Sequence, residues 1–275
     1  MTQIAERLNV AVDASRLAGA ILLEHFVHTA PPVSIKPDGS PVTEADRRVE
    51  IAIRDRILAG FPKDAFLGEE FGATAGDSGY RWIVDPIDGT MAFVMGVPLF
   101  GVLIALEYQG DIVLGVLHMP VLDETVYASH GQGAWHVQGK KAPLRAAVCP
   151  DLALHEAMLL TSNPGDWSQQ DGVHVLDELM QATRALRTWG DCYGYLLVAK
   201  GKPAIMIDPI MKLWDAAAIL PIIREAGGRF TDWSGVETVH SSQGIAAARS
   251  VLPDVLRIIN RRRSGETTMR GDRTS

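Results

Sequence analysis

The sequence has few cysteines and no long uninterrupted apolar run. Its 275 residues include only Cys149 and Cys192, too few for a disulfide framework or a four-thiolate zinc site. The uncharged stretch over residues 89–106 contains glycine and proline in its middle and is shorter than a membrane helix requires. The first ten residues lack the apolar core of a signal peptide. We therefore expect a cytoplasmic protein that does not cross a membrane.

Basic side chains are scarce relative to acidic ones. The chain has 26 Lys and Arg against 33 Asp and Glu, a net charge of −7. A nucleic-acid binder needs a basic face to displace counterions, so this class of partner is excluded. The content of 47% apolar and 21% charged residues is typical of globular proteins and excludes a disordered or fibrous chain. An acidic cleft that gathers divalent cations fits this balance better.

Apolar spacing predicts an α+β protein. A helical pattern covers residues ~3–28, and Thr43 to Asp46 resemble a capping box that opens a second helix. Residues 99–137 alternate as a β-meander with a hairpin turn, after which strands and helices alternate. One of these helices is predicted over residues ~215–226, ended by Gly227-Gly228.

The domain organisation is predicted to be simple. No repeat or low-complexity linker interrupts the chain, and residues 146–151 offer a plausible lobe boundary. We expect residues 1–262 to form a single unit with two lobes, about 1–148 and 149–262. The tail over residues 263–275 is expected to be disordered.

The most informative segment is WIVDPIDGT, residues 82–90. A β-rich run ends in two carboxylates three residues apart, Asp85 and Asp88, with a proline between them. Two carboxylates in one loop repel each other unless a cation lies between them. Gly89 and Thr90 then offer backbone N–H groups that could hold a phosphate. The alternative is an Asp-Pro turn followed by an Asx cap.

Two further element ends carry acids. Glu69 and Glu70 follow the short strand predicted over residues 65–68, and Asp215 lies at the start of an apolar helix. Asp215 could simply be an N-cap, the usual role of an Asp at that place. Three such ends in a chain without clusters of Cys and His indicate a hard, oxygen-preferring cation, and Mg²⁺ is favoured.

Together these segments resemble the inositol monophosphatase superfamily. The resemblance rests on residues 69–70, 85–90, 214–215 and 225–228, and it extends over about residues 5–260. It implies a layered α-β-α-β-α sandwich and a phosphomonoesterase that uses two or three Mg²⁺ ions. It also implies a homodimer.

The resemblance also implies roles for individual residues. The metal ligands would be Glu69, Asp85, the carbonyl of Ile87, Asp88 and Asp215. Thr90 would pair with Asp46 to orient and deprotonate the attacking water, and Gly89 and Thr90 would hold the phosphate. Lys36 corresponds to a mobile lysine near the metals, and Glu70 and Gly190 are additional candidates. From the residues alone, Asp46 could be a plain helix cap and Lys36 an ordinary turn residue.

Residues 187–195, RTWGDCYGY, resemble the histidinol-phosphatase branch of that superfamily. Asp208 stands where inositol-type enzymes have a Glu that contacts the substrate. Histidinol phosphate carries an ammonium group and an imidazole, so its pocket should supply acids outside the metal cluster. Asp191 and Asp208 are therefore the predicted substrate-binding acids. Tyr195 could instead be a core aromatic.

We predict an Mg²⁺-dependent phosphatase of histidinol phosphate, acting in histidine biosynthesis. The alternatives are inositol-1-phosphate hydrolysis and a broader activity on sugar or nucleotide phosphates. A non-catalytic regulator that binds Mg²⁺ or a polyol phosphate is a further alternative. The presence of both Thr90 and Asp46 argues against that regulator.

Overall fold

The computed structural model describes residues 2–28, 33–35, 41–170 and 172–261. Lys36 and the predicted tail over residues 263–275 lie outside the described residues. Within them the chain forms eight α-helices: α1 (Thr2–His28), α2 (Glu44–Gly60), α3 (Thr90–Val94), α4 (Val173–Ala182), α5 (Asp191–Ala199), α6 (Leu213–Ala217), α7 (Ile219–Glu225) and α8 (Leu252–Asn260). No helix in these ranges has the length and apolar character needed to span a membrane.

The described strands form two sheets and one small ribbon. They are β1 (Val33–Ile35), β2 (Pro41–Thr43), β3 (Ala65–Gly68), β4 (Gly72–Thr74), β5 (Tyr80–Asp88), β6 (Gly101–Tyr108), β7 (Asp111–Met119), β8 (Glu124–Ser129), β9 (Gly133–Gln138), β10 (Leu144–Arg145), β11 (Met158–Leu160), β12 (Ala185–Arg187), β13 (Ala204–Asp208), β14 (Arg229–Thr231) and β15 (Gly244–Ala247). The large sheet has the order β10-β9-β8-β7-β6-β5-β3-β4, and the smaller one the order β12-β11-β13-β15-β14. The β1-β2 ribbon is antiparallel.

Both faces of the central strands of the large sheet are buried. Side chains alternate between the faces of a strand, and on β5 and β6 Trp82, Val84 and Ile104 pack against α1 and α2. The intervening Ile83 and Leu103 belong to a second core shared with α5, α7 and the smaller sheet. On that side α7 approaches β7 so closely that a Cβ at Gly115 would collide with the Ala218 carbonyl. These packed layers confirm the predicted α+β sandwich.

Local signals explain where several helices begin and end. The predicted capping box is present: the Thr43 hydroxyl accepts from the Ala45 N–H at 3.1 Å, and Asp46 accepts from the Thr43 N–H at 2.7 Å. Gly227 has a φ of 88° just after α7, the left-handed conformation predicted there. The predicted β-meander and its hairpin turn are formed by β6 to β9, with Gln109 and Gly110 at positive φ in the turn.

Two predictions about these elements were wrong. The helix predicted over residues ~215–226 is interrupted, because α6 ends at Ala217 and α7 starts at Ile219. Pro221 explains the break, since its ring clashes with the carbonyl four residues earlier and it has no N–H to donate. The segment Asp85–Asp88 is not a loop after a strand but part of β5, with a register shift against β6 between these residues.

The division into two lobes stays a prediction. Every strand of the large sheet precedes residue 148, and every strand of the smaller sheet follows it. The second core nevertheless contains buried residues from both halves, such as Leu117 and Ile207.

Candidate metal centre

Three aspartates converge where β5 ends and α6 begins. Asp85, Asp88 and Asp215 each offer a carboxylate oxygen, and these three oxygens lie within 4.8 Å of one another. Asp85 is 3% exposed, and the other two are half-buried. A single cation placed among them could contact all three side chains. The sequence predicted each of these residues as a ligand, and the structure brings the three together.

The backbone around each carboxylate sets its direction. Asp85 lies two residues after Ile83 on β5, so it points to the face of the sheet against which α6 packs. Its Oδ1 accepts from the Ile87 N–H at 2.9 Å, across the β-bulge. Asp215 lies in the first turn of α6, where its Oδ2 accepts from the Lys212 N–H at 2.8 Å. Asp215 thus caps its helix from within, rather than from the N-cap position considered from sequence.

Burial and mutual repulsion raise the pKa values of these acids. The pKa of Asp85 lies well above its usual value because the side chain is buried and because Glu69, Asp88 and Asp215 are close. The pKa of Asp88 is raised by burial and by Asp191 and Asp215. Burial raises the pKa of Asp215 to about 7, with Glu69 adding to the effect. A bound cation would offset this repulsion.

Glu69 and Glu70 lie in the turn between β3 and β4. β3 pairs in parallel with β5, with Gly68 opposite Val84, so the register carries Glu69 to the level of Asp85. The charge of Glu69 acts on both Asp85 and Asp215. The backbone N–H groups of Glu70 and Phe71 donate to the buried carboxylate of Glu50 on α2, at 2.7 and 3.0 Å.

The predicted water-activating residues have separate hydrogen-bond partners in the structure. The Asp46 carboxylate is buried and accepts from the Thr43 N–H at 2.7 Å and from its hydroxyl at 2.6 Å. Burial raises the pKa of Asp46 to about 6. The Thr90 hydroxyl donates to the Ile87 carbonyl at 2.9 Å. The predicted pairing of Thr90 with Asp46 stays a prediction.

The N-terminus of α5 contacts the same group of carboxylates. The Cys192 N–H donates to Asp88 Oδ2, and the Asp191 N–H donates to the Ser162 hydroxyl at 2.8 Å. A Cβ at Gly190 would collide with Ser162, so this close approach requires glycine. Asp191 has a φ of 51°, a strained conformation for a residue other than glycine. Strain of this kind is typical of functional sites.

A cavity of about 490 Å³ opens beside the three aspartates. It is rich in acids, and its lining residues are Asp88, Met91, Ala92, Ser162, Asn163, Asp166, Asp191, Tyr195, Asp208, Ile210, Met211 and Asp215. This volume suits a small phosphate ester. A larger groove of about 860 Å³, which Arg16 and Lys140 help to line, contains none of the predicted site residues. The chemistry of the acids therefore favours the smaller cavity.

A sequence model described as the inositol monophosphatase family matches residues 3–264. The chain belongs to the inositol monophosphatase family. It is therefore a phosphomonoesterase, and the metal dependence of the family agrees with the carboxylate cluster.

Relatives of this chain include proteins named histidinol-phosphatase and inositol-1-monophosphatase. A histidinol-phosphatase of Chlorobaculum parvum is 39% identical over 89% of this chain and 93% of its own length. A histidinol-phosphatase of Mycobacterium tuberculosis is 38% identical over 83% of this chain and 88% of its own length. An inositol-1-monophosphatase of Mesorhizobium japonicum is 35% identical over 90% of this chain and 94% of its own length.

The fold is similar to that of solved structures. The suhB extragenic suppressor protein of Bartonella henselae superposes with a TM-score of 0.85 at 32% identity, covering 92% of this chain and 98% of that one. An IMPase of Thermotoga maritima gives a TM-score of 0.82 at 30% identity, covering 93% and 97%. These likenesses agree with the layered fold described above.

Asp208 lines the cavity of this phosphomonoesterase and also has hydrogen-bond partners within the protein. It is buried, its Oδ1 accepts from the Ser162 N–H at 2.9 Å, and its Oδ2 accepts from the Tyr195 hydroxyl at 2.8 Å. Burial raises the pKa of Asp208 to about 6. Each oxygen accepts one hydrogen bond from the protein, so Asp208 supports the cavity wall, and its predicted contact with the substrate stays a prediction. Tyr195 is a buried core aromatic, which was the alternative interpretation of this residue, and it also lines the cavity.

Sequence reasoning missed Ser162, Asp166 and Glu50. Asp166 lies in a 3₁₀ helix over Pro164–Gln170, on the cavity wall, and accepts from the Asn163 amide at 2.9 Å. This loop has no periodicity that could have marked it. Glu50 did carry a signal, because it is an acid inside the apolar stripe of α2, one turn after Asp46.

Proposed function

We propose that this chain hydrolyses histidinol phosphate with Mg²⁺, releasing inorganic phosphate in histidine biosynthesis. The observation that carries this proposal is the negative charge on the cavity wall outside the three-aspartate cluster. Asp166 and Asp191 both line the cavity, and neither belongs to that cluster. The ammonium and imidazolium groups of histidinol phosphate match this charge. The relatives named histidinol-phosphatase support the same substrate.

The residues present fit a hard divalent cation. Mg²⁺ prefers oxygen donors, and the cluster supplies three carboxylates whose pKa values are raised by their mutual proximity and burial. We propose that two or three Mg²⁺ ions are held by Asp85, Asp88, Asp215, Glu69 and the carbonyl of Ile87. When bound, Mg²⁺ supplies positive charge that stabilises the phosphate oxygens and the leaving alkoxide and lowers the pKa of an attacking water.

The turn after β5 would hold the phosphate. Gly89 has a φ of 84°, which favours glycine, and precedes the first residue of α3. The first N–H groups of a helix have no partner within it, so those of Gly89 and Thr90 would donate to phosphate oxygens. Negative charge that develops on these oxygens during transfer would be stabilised by the preset N–H dipoles.

Asp46 would accept the proton of the attacking water. Its pKa of about 6 means that the carboxylate is mainly ionised at pH 7. The pKa is also close enough to that pH for Asp46 to act as a general base. We propose that the Thr90 hydroxyl relays the proton between the water and Asp46, which requires it to turn from the Ile87 carbonyl. The attack is direct, so the mechanism needs no phosphorylated residue.

Asp191 and Asp166 would bind the cationic end of the substrate. Burial raises the pKa of Asp191, and the charge of Asp166 acts on it, so the two acids lie close enough to repel. A cation between them would relieve this repulsion. A hydrogen bond to a charged group contributes about 1.5–3 kcal/mol, which corresponds to about ten- to a hundredfold in kcat/KM.

A second candidate function is hydrolysis of inositol-1-phosphate. The relative from Mesorhizobium japonicum named inositol-1-monophosphatase is 35% identical over 90% of this chain, so the identity alone separates the two substrates weakly. A neutral polyol can donate hydroxyl hydrogen bonds to Asp166 and Asp191 but has no positive charge to pair with them, and the cavity charge therefore favours histidinol phosphate.

We extend two further expectations from the family resemblance. We propose that the protein is a homodimer, which size-exclusion chromatography with light scattering would test. We also propose that it functions in the cytoplasm, a reducing compartment in which its two cysteines would stay free, as they are in the structure.

The deciding experiment compares kcat/KM for histidinol phosphate and inositol-1-phosphate at saturating Mg²⁺. We expect a preference for histidinol phosphate of at least about tenfold, the equivalent of one charged contact. Equal values, or a preference for inositol-1-phosphate, would show that the substrate assignment is wrong while leaving the phosphatase chemistry in place.

A further inference from the structure

The buried carboxylate of Glu50 contacts the turn that carries Glu69. Glu50 is 1% exposed, and its two oxygens accept from two successive backbone N–H groups, those of Glu70 at 2.7 Å and Phe71 at 3.0 Å. Buried carboxylates in proteins are held by partners of this kind because an unpaired charge is costly to bury. The carboxylate therefore fixes the backbone of the residues that follow Glu69.

The turn that carries Glu69 is short and lies against Glu50. It joins β3 to β4 across only three residues, since Gly68 pairs with Gly72. A Cβ at Gly68 would collide with the Glu50 carboxylate, so the strand end lies directly against it. Gly68 is also opposite Val84, the residue before Asp85. A shift of this turn would therefore move Glu69 relative to Asp85.

A single helix face connects this turn to the predicted base. Glu50 lies four residues after Asp46 on α2, which places the two side chains one turn apart on the same buried face. Asp46 is fixed by Thr43, and Glu50 by the β3–β4 turn. The helix thereby sets the position of both carboxylates against the sheet.

We propose that Glu50 is a positioning residue that holds Glu69 in place beside Asp85 for metal binding. This inference rests on the proposed role of Glu69 as a metal ligand. Glu50 lies behind the turn and acts through hydrogen bonds to its backbone. Groups that orient metal ligands in this way commonly change metal affinity or activity by about 10–100-fold when they are replaced.

The test measures Mg²⁺ binding directly, by isothermal titration calorimetry on the full chain after removal of metal with EDTA. In Glu50→Gln the amide has one acceptor oxygen, so one N–H of the turn loses its partner and faces an NH₂ group. We expect the Kd for Mg²⁺ to rise about 10–100-fold. Glu50→Asp keeps the charge but is one methylene shorter, and it should give a smaller rise. Glu44→Gln, the same exchange at an exposed place on α2, is the matched control and should leave Kd unchanged.

A second variant separates this inference from the assignment of Glu69. Glu69→Gln should itself weaken Mg²⁺ binding, and adding Glu50→Gln to it should cost much less than in the wild type, because both changes remove the same contribution. If Glu69→Gln weakens binding while both Glu50 variants keep the wild-type Kd and lose only thermal stability in EDTA, Glu50 is merely structural. If Glu69→Gln leaves the Kd unchanged, the ligand assignment and this inference both fail. Should Glu50→Gln not fold, Glu50→Asp decides by the same readout.

Discussion

The backbone N–H of Cys192 donates a hydrogen bond to the carboxylate of Asp88, joining the start of α5 to the end of β5 across 104 residues of sequence. This bond connects the two structural parts of the site. β5 supplies Asp85 and Asp88 to the carboxylate cluster, and α5 supplies Asp191 to the cavity wall. Asp88 belongs to the cluster and also accepts this hydrogen bond from α5. The cluster and the substrate cavity therefore lie next to each other.

Removing one charge from the cluster should stabilise the metal-free protein and abolish catalysis. We expect Asp85→Asn, Asp88→Asn and Asp215→Asn each to raise Tm in EDTA, because the change relieves repulsion among buried carboxylates. Each should also lose Mg²⁺-dependent hydrolysis of p-nitrophenyl phosphate. Asp55→Asn, at an exposed place on α2, is the control and should change neither property. Near-normal activity of Asp85→Asn would refute the metal-site assignment.

The stability that Asp215→Asn gains in EDTA should depend on pH. Burial raises the pKa of Asp215 to about 7 in the folded chain, above its ordinary value of 3.8. Between these values the native state binds more protons than the unfolded state, so this group lowers stability as pH rises. The stability gained by Asp215→Asn over wild type in EDTA should therefore grow from about pH 4 to pH 7 and then level off. Urea unfolding of both proteins across this range measures it, and a gain that shrinks with pH would contradict the account.

Thr90 and Asp46 should affect turnover more than substrate binding. We expect Thr90→Ala and Asp46→Asn to lower kcat by about 10²–10⁴-fold with little change in KM, because both are proposed to act on the attacking water. Steady-state kinetics with p-nitrophenyl phosphate at saturating Mg²⁺ measure this split. Variants that raised only KM would assign these residues to binding instead.

The acids of the cavity wall should discriminate between substrates. Asp166→Asn and Asp191→Asn should lower kcat/KM for histidinol phosphate about ten- to a hundredfold, while p-nitrophenyl phosphate, which carries no cation, is affected much less. Asp208→Asn is the informative contrast. Its carboxylate holds Ser162 and Tyr195, so its loss should lower kcat/KM for both substrates alike. Equal losses in Asp191→Asn would show that Asp191 is structural as well.

Local features of the sequence predicted much of this site. The capping box at Thr43, the acids at the end of β5 and the acid opening α6 are each defined within a few residues, so they could be read without the fold. The interruption after Ala217 was also visible as Pro221, but the apolar periodicity runs across it and suggested one helix.

Contacts between distant segments could not be predicted in the same way. Ser162 reaches Asp208 and Asp191 through hydrogen bonds that span 46 and 29 residues, and the loop that carries it has no repeating pattern. The two oxygens of Asp208 are therefore occupied by partners that only the folded chain reveals. The resemblance to the family predicted a substrate contact for Asp208, and this stays a prediction, whereas its hydrogen bonds to Ser162 and Tyr195 are visible only in the folded chain.

We propose that the carboxylates around Asp85 hold Mg²⁺ for hydrolysis of a cationic phosphate monoester. The most direct test measures phosphate release from histidinol phosphate by the EDTA-treated full chain as Mg²⁺ is added back, beside Asp85→Asn under the same conditions. We expect no release without Mg²⁺, saturable recovery as it is added, and no recovery in Asp85→Asn. Release by the wild type that is independent of Mg²⁺, or full recovery in Asp85→Asn, would contradict the account.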